Sequence, residues 1–200
     1  MLKNPDATDD VRTAVGQAIR RAREAAGLSM RALARASEMS QPFLSQVEKG
    51  ETSPSLSSLY RLAHALGLPP SQLMPPVSTP RGVSVLRQGE GRELQVSDAS
   101  GAASGRLLSG GAGHLLEVVE YRVEPGADLG GWFESDGEMT VYVIDGEVEV
   151  TLEREGSWRL GAGDAISHPA DIRHRWAVVG DGTARILLSV AHTHPAVTRT

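Results

Sequence analysis

The chain has 200 residues and no cysteine, which excludes disulfides, zinc fingers and thiol nucleophiles. With 40% hydrophobic and 22% charged residues its composition is that of a globular protein, long enough for one large domain or two small ones. A net charge of −5 argues against a nucleic-acid binder until the chain is divided. Residues 12–66 hold 8 Lys and Arg against 4 Asp and Glu, whereas residues 81–200 hold 11 against 18. A basic head on an acidic body fits a head that meets phosphate.

The opening MLKNPDATDD lacks the apolar core of a signal peptide. No apolar run approaches the ~18 residues of a membrane span. No membrane partner and a cytoplasmic setting are expected. Residues 1–11 read as a disordered tail.

From Val11 the apolar positions Val15, Ala18, Ile19, Ala22 and Ala26 recur at helical spacing and stop at Gly27. Ser29 can cap a second helix carrying Leu33 and Ala34 inward. Ser40 can cap a third, with Pro42 tolerated in its first turn and Leu44 and Val47 facing the core. Ser53-Pro54 opens a fourth, whose stripe is Leu56, Leu59, Leu62, Ala63 and Leu66. A short fifth turn, 70–74, contributes Leu73. The head therefore spans 12–74. Residues 75–82, PPVSTPRG, hold three prolines and read as a linker.

Beyond it the period changes to two. Segments 114–123, 139–145, 147–153, 157–160, 164–170, 173–179 and 184–191 read as strands. Asp145-Gly146 reads as a two-residue hairpin turn. Many short strands without helices between them imply a β-sandwich or barrel over 83–195.

The residues GLS at 27–29, LA at 33–34, FLSQVEKG at 43–50, SPS at 53–55 and LxxLAxALG at 59–67 resemble the phage-repressor type of helix-turn-helix, the Xre-like family. The resemblance implies a five-helix domain whose helix 40–48 enters the major groove of double-stranded DNA. Gln41, Ser45 and Gln46 would read bases, a Gln amide offering a donor and an acceptor to adenine. Phe43 would touch a thymine methyl or pack on the turn. Ser29, Arg31 and Ser40 would meet the backbone, which positions without specifying. Arg23 and Glu48 would pair inside the fold. Such heads bind palindromic operators as homodimers. His64 reads as a helix-face residue without function.

The stretches PGADLGGWFESDGEMTVYVIDGEVEV (125–150) and LGAGDAISHPADIRHRWAVV (160–179) resemble the two motifs of the cupin family, an antiparallel β-barrel also described as a double-stranded β-helix. Where a metal-binding cupin has His-x-His, this chain has Trp132 and Glu134; Glu138 and His174 keep the other two ligand positions. Three readings stay open. The barrel is a small-molecule pocket built on Trp132, Glu134, Glu138, Tyr142, His174 and Trp176, with no cofactor. Or Glu134, Glu138 and His174 hold a divalent metal. Or the barrel only dimerises. The carboxylates favour a cationic or amphipathic effector. His168 reads as a turn-associated surface residue, His192 and His194 as incidental tail histidines, and His114 carries no signal.

The fold class expected is thus α then β in two domains. The leading function is a DNA-binding transcription regulator, a repressor, whose cupin domain senses a small-molecule effector. The alternative is a metal-dependent enzyme resembling the non-haem iron oxygenases and epoxidases that join such a head to a cupin.

Overall fold

The computed structural model describes residues 5–75, 83–99 and 101–193. Four helices come first: α1 (Pro5–Ala25), α2 (Met30–Ala36), α3 (Gln41–Glu48) and α4 (Leu56–Leu66). The expected fifth helix is a single 3-10 turn, Pro70–Leu73. α1 starts at Pro5, inside the stretch that reads as a tail. Proline in the first turn and acidic residues after it suit a helix start. Only Pro75 of the expected linker lies within the described residues, and His194 falls outside them.

Ser29 and Ser40 cap α2 and α3 as the sequence announces, accepting from the N–H groups of Ala32 and Phe43. The cap of α4 is Ser55 and not Ser53: Ser55 accepts from the Ser58 N–H and the helix starts at Leu56, so Ser53-Pro54 lies ahead of it. Gly67 ends α4 in the left-handed conformation. Ile19, Leu33, Leu44, Val47, Leu62 and Leu73 are fully buried and form the head's core. Gly16 lets α1 lie directly on α3, since a Cβ there would come 2.3 Å from the Val47 carbonyl oxygen.

Among the described residues nine strands follow: β1 (Arg92–Gln95), β2 (Ser104–Ser109), β3 (Leu116–Val123), β4 (Glu138–Asp145), β5 (Glu147–Leu152), β6 (Gly156–Gly161), β7 (Ala165–Pro169), β8 (His174–Val178) and β9 (Ala184–Ala191). They form a six-stranded sheet, β1-β2-β3-β9-β4-β7, and a three-stranded sheet, β6-β5-β8. All strand pairings are antiparallel. β1 and β2 carry no apolar alternation and were not legible as strands. Asp145-Gly146 is a corner, not a hairpin. β4 and β5 belong to different sheets, and Gly146 (φ 80°) turns the chain between them. The tight hairpin is the next one, β5 to β6, with Arg154 at φ 68°.

Head and barrel are in contact. The Ala112 N–H donates to the Met74 carbonyl (2.9 Å), and Arg92 Nη1 donates to the Pro75 carbonyl (2.8 Å). α4 lies against the barrel along the face that carries Leu56, Tyr60 and His64.

Candidate functional site

The outward edge of α3 is open. Gln41, Pro42 and Gln46 are exposed and Ser45 is half-buried, while Leu44, Val47 and Glu48 face inward. Phe43 is half-buried and packs against the head's core. Ser29 and Ser40 use a lone pair to cap their helices, at 3.1 and 3.2 Å. Each hydroxyl proton is left to donate, and both residues are exposed, as is Arg31. An N-terminus with such donors suits a phosphate.

A buried ion pair fixes this edge. Arg23 Nε and Nη2 donate to the two Glu48 oxygens at 2.6 and 2.9 Å, and Nη1 donates to the Leu28 carbonyl at 3.1 Å. The side chains are 12% and 4% exposed. The hydrogen bonds it donates to Glu48 hold the guanidinium above its usual pKa. The clamp joins α1, the α1–α2 turn and the end of α3.

The six expected pocket residues separate into three places. His174 and Trp176, on β8, point into the barrel, where Trp176 meets Tyr121 edge-to-face at 5.1 Å. Glu138 and Tyr142 lie on the outer face of β4, whose inward residues are Met139, Val141 and Val143. Trp132 and Glu134 line an open cleft of ≈ 860 Å³ between the head and the barrel. There Arg175 and Arg173 cover the Trp132 ring at 4.8 and 5.6 Å, and Glu134 meets His64 of α4 at 3.0 Å. The reason is parity: Phe133 pairs with His174 and faces inward, so its neighbours face out. Glu134, Glu138 and His174 therefore do not converge. Among the described residues no group of three His, Asp or Glu is placed to hold a metal ion.

Two histidines correct the sequence reading. His168 is buried on β7, its ring 5.0 Å from that of His174. His174 Nδ1 donates to the Ile172 carbonyl at 3.0 Å, and burial depresses its pKa to about 4 despite that bond. His192 is buried too, paired through Nδ1 with Asp136 at 2.8 Å and 4.0 Å from Glu117 through Nε2. Burial opposes its charge, but the two carboxylates outweigh burial and raise its pKa.

The centre of the barrel is nearly full. A void of ≈ 10 Å³ remains among Leu56, Tyr60, Tyr121, Phe133, His174 and Trp176. Leu56 and Tyr60 belong to α4, so the head itself closes the barrel. Tyr60 is 6% exposed and lies edge-to-face on Phe133 at 5.6 Å. α4 is bolted there by Asp98, which accepts from Ser58 Oγ and from the Ser55 N–H, and by the Ser57 N–H donating to the Val96 carbonyl at 2.9 Å. His64 and Tyr60 thus have interdomain roles that an isolated helix reading does not reveal. Tyr60 offered one signal, being the single aromatic on α4.

Known proteins show the same two-part plan. Residues 19–73 match the helix-turn-helix family and residues 119–190 the cupin domain family. The chain joins a helix-turn-helix domain to a cupin domain. This helix-turn-helix–cupin chain is 25% identical over 180 residues to the HTH-type transcriptional regulator PuuR of Escherichia coli, covering 90% of this chain and 95% of that one. It is 24% identical over 181 residues to the HTH-type transcriptional regulator SutR of the same bacterium, covering 82% and 87%. Its fold matches an HTH_3 family transcriptional regulator from Vibrio cholerae with a TM-score of 0.63 at 21% identity, covering 94% and 99%. These relatives favour a transcription regulator over a cupin enzyme. Among the described residues no helix is long and apolar enough to cross a membrane.

Proposed function

We propose that this chain is a cytoplasmic, sequence-specific transcription regulator that binds a palindromic operator as a homodimer and represses, and whose cupin domain senses a small-molecule effector. The observation that carries the reading is the double role of the head. Its α3 presents Gln41, Ser45 and Gln46 outward, while its α4 closes the barrel with Leu56 and Tyr60. α4 packs on α1 and α2, and these pack on α3, so a change inside the barrel has a packed route to the reading helix. An effector acts by preferring one arrangement of the two heads over the other.

One head touches few base pairs, so two heads on half-sites about 34–36 Å apart give the needed specificity. No cofactor is assigned, because the three candidate metal ligands lie apart. Selection from random double-stranded DNA tests the reading. It predicts enrichment of an inverted repeat bound with a Kd of about 10⁻⁸ M or tighter at physiological salt. Selection that enriches no sequence overturns it. Gln46→Ala is expected to cost about 1–3 kcal/mol on that site and leave folding intact.

A further inference from the structure

We infer that the barrel is a receptor for an organic cation, an ammonium on an apolar or aromatic stem, whose charge pairs with Glu117 and whose binding displaces the Tyr60 side chain. The inference rests on the regulator reading and names the ligand chemistry of its sensor.

Glu117 is the observation that points to a ligand. On β3 the inward residues are Glu117, Val119, Tyr121 and Val123, so an acid occupies the core face of an apolar strand. It is 1% exposed, and among the described residues neither carboxylate oxygen has a partner within hydrogen-bond distance. Its nearest cation, His192 Nε2, stands at 4.0 Å, too far for a hydrogen bond. The other ring nitrogen of His192 is committed to Asp136, which also accepts from the Thr193 N–H and hydroxyl. One imidazole ring thus stands between two carboxylates, and Asp136 holds it. Buried charges without hydrogen bonds are costly and rare. The hydroxyl of Tyr121 and Nε1 of Trp176 are likewise buried without partners, and both side chains line the central void. Aromatic faces beside an acid suit an organic cation.

Space decides how the ligand arrives. A void of ≈ 10 Å³ holds about one water. The ≈ 860 Å³ cleft lies just outside, and Tyr60 and Phe133 line both spaces. These two rings are the partition between cleft and barrel. Tyr60 rides on α4, so it is the half of the partition that moves with the head. Glu117 does not line the void itself but lies close behind it, where, after burial, its charge raises the pKa of both the Tyr60 and the Tyr121 hydroxyls. A ligand ring takes the place of the Tyr60 ring, its ammonium replaces the Tyr60 hydroxyl as the group facing Glu117, and α4 loses its seat.

The test uses the full chain and two probes of equal shape, benzylamine and benzyl alcohol, followed by calorimetry. Tyr60→Ala opens the site. It should bind benzylamine at least about tenfold tighter than benzyl alcohol, and adding Glu117→Gln should abolish that preference. Equal binding of the two probes, or a preference that survives Glu117→Gln, overturns the inference. Should Tyr60→Ala fail to fold, Tyr60→Leu replaces it with the same expected outcomes. In the unaltered chain, saturating benzylamine should speed hydrogen exchange of the α4 amides; binding that leaves α4 exchange unchanged or slower contradicts displacement. No DNA enters these measurements. Loss of operator selectivity would therefore sink the regulator reading alone, and loss of the amine preference would sink this inference alone.

Discussion

Arg23→Met removes the three hydrogen bonds that join α1, the α1–α2 turn and α3. Glu48 is then left 4% exposed with no cation, and the Leu28 carbonyl loses its side-chain donor. Removing one partner of a buried pair costs about 3–5 kcal/mol, whereas replacing both by apolar groups of similar volume is close to neutral. Arg23→Met should therefore destabilise the head by about 3–5 kcal/mol, and Arg23→Met/Glu48→Leu should recover most of that loss. A small domain has only about 5–15 kcal/mol in all, so the single variant should sit near its unfolding threshold at 37 °C. The two domains can be followed separately. Among the described residues all the α-helices lie at 5–66, and all three tryptophans, 132, 158 and 176, lie in the barrel. Guanidinium unfolding followed by helical circular dichroism reports the head, and tryptophan fluorescence reports the barrel. The Arg23→Met midpoint should fall in the first signal by more than in the second. A loss below about 1 kcal/mol, or a double variant no more stable than the single one, refutes the argument.

Other changes have outcomes of their own. Gly16→Ala drives a methyl to 2.3 Å from the Val47 carbonyl oxygen and should cost about 1–3 kcal/mol in the same helical transition, where an unchanged midpoint would show that α1 and α3 can separate freely. Asp98→Ala removes the acceptor of Ser55 and Ser58 and should make the helical and fluorescence transitions less coincident; transitions that stay together argue that Asp98 does not couple the domains. Stability should fall on both sides of neutrality. His192 has a raised pKa in the folded chain, so its contribution is full below the unfolded value of about 6.5 and is lost as pH rises through the folded one. His174 has a depressed pKa of about 4, so the unfolded chain takes up the proton first and up to about 3 kcal/mol is lost as pH drops from 6.5 toward 4. Unfolding midpoints measured across pH 4.5–8.5 by tryptophan fluorescence should trace that maximum, and a flat profile contradicts it.

The head was largely legible because its signals are local. Serine caps, Gly27, Gly67 and the leucine stripe act within one or two turns of chain. The Arg23–Glu48 pair came from family resemblance, since 25 residues separate the partners. The barrel was legible as strands, and its failures share a physical cause. A strand's period tells which residues share a face but not which face is inside. Reading Trp132, Glu134, Glu138 and Tyr142 as inward chose the wrong parity, and the buried residues are Phe133, Met139, Val141 and Val143. Glu117 could have been found, because it shares parity with Val119, Tyr121 and Val123. His64 and Asp98 could not, because their roles exist only where two domains meet, and Tyr60 gave no more hint than being the single aromatic on α4.

The reading helix is the centre of the account, and one titration tests it most directly. The selected operator and a scrambled duplex are each titrated, at two salt concentrations, with the unaltered protein and with Gln46→Ala. The account predicts that Gln46→Ala weakens operator binding by about tenfold or more, while scrambled-duplex affinity and the salt slope stay as they were, because a base contact is lost and no phosphate contact is. Equal weakening on both duplexes, or no weakening on either, would contradict it.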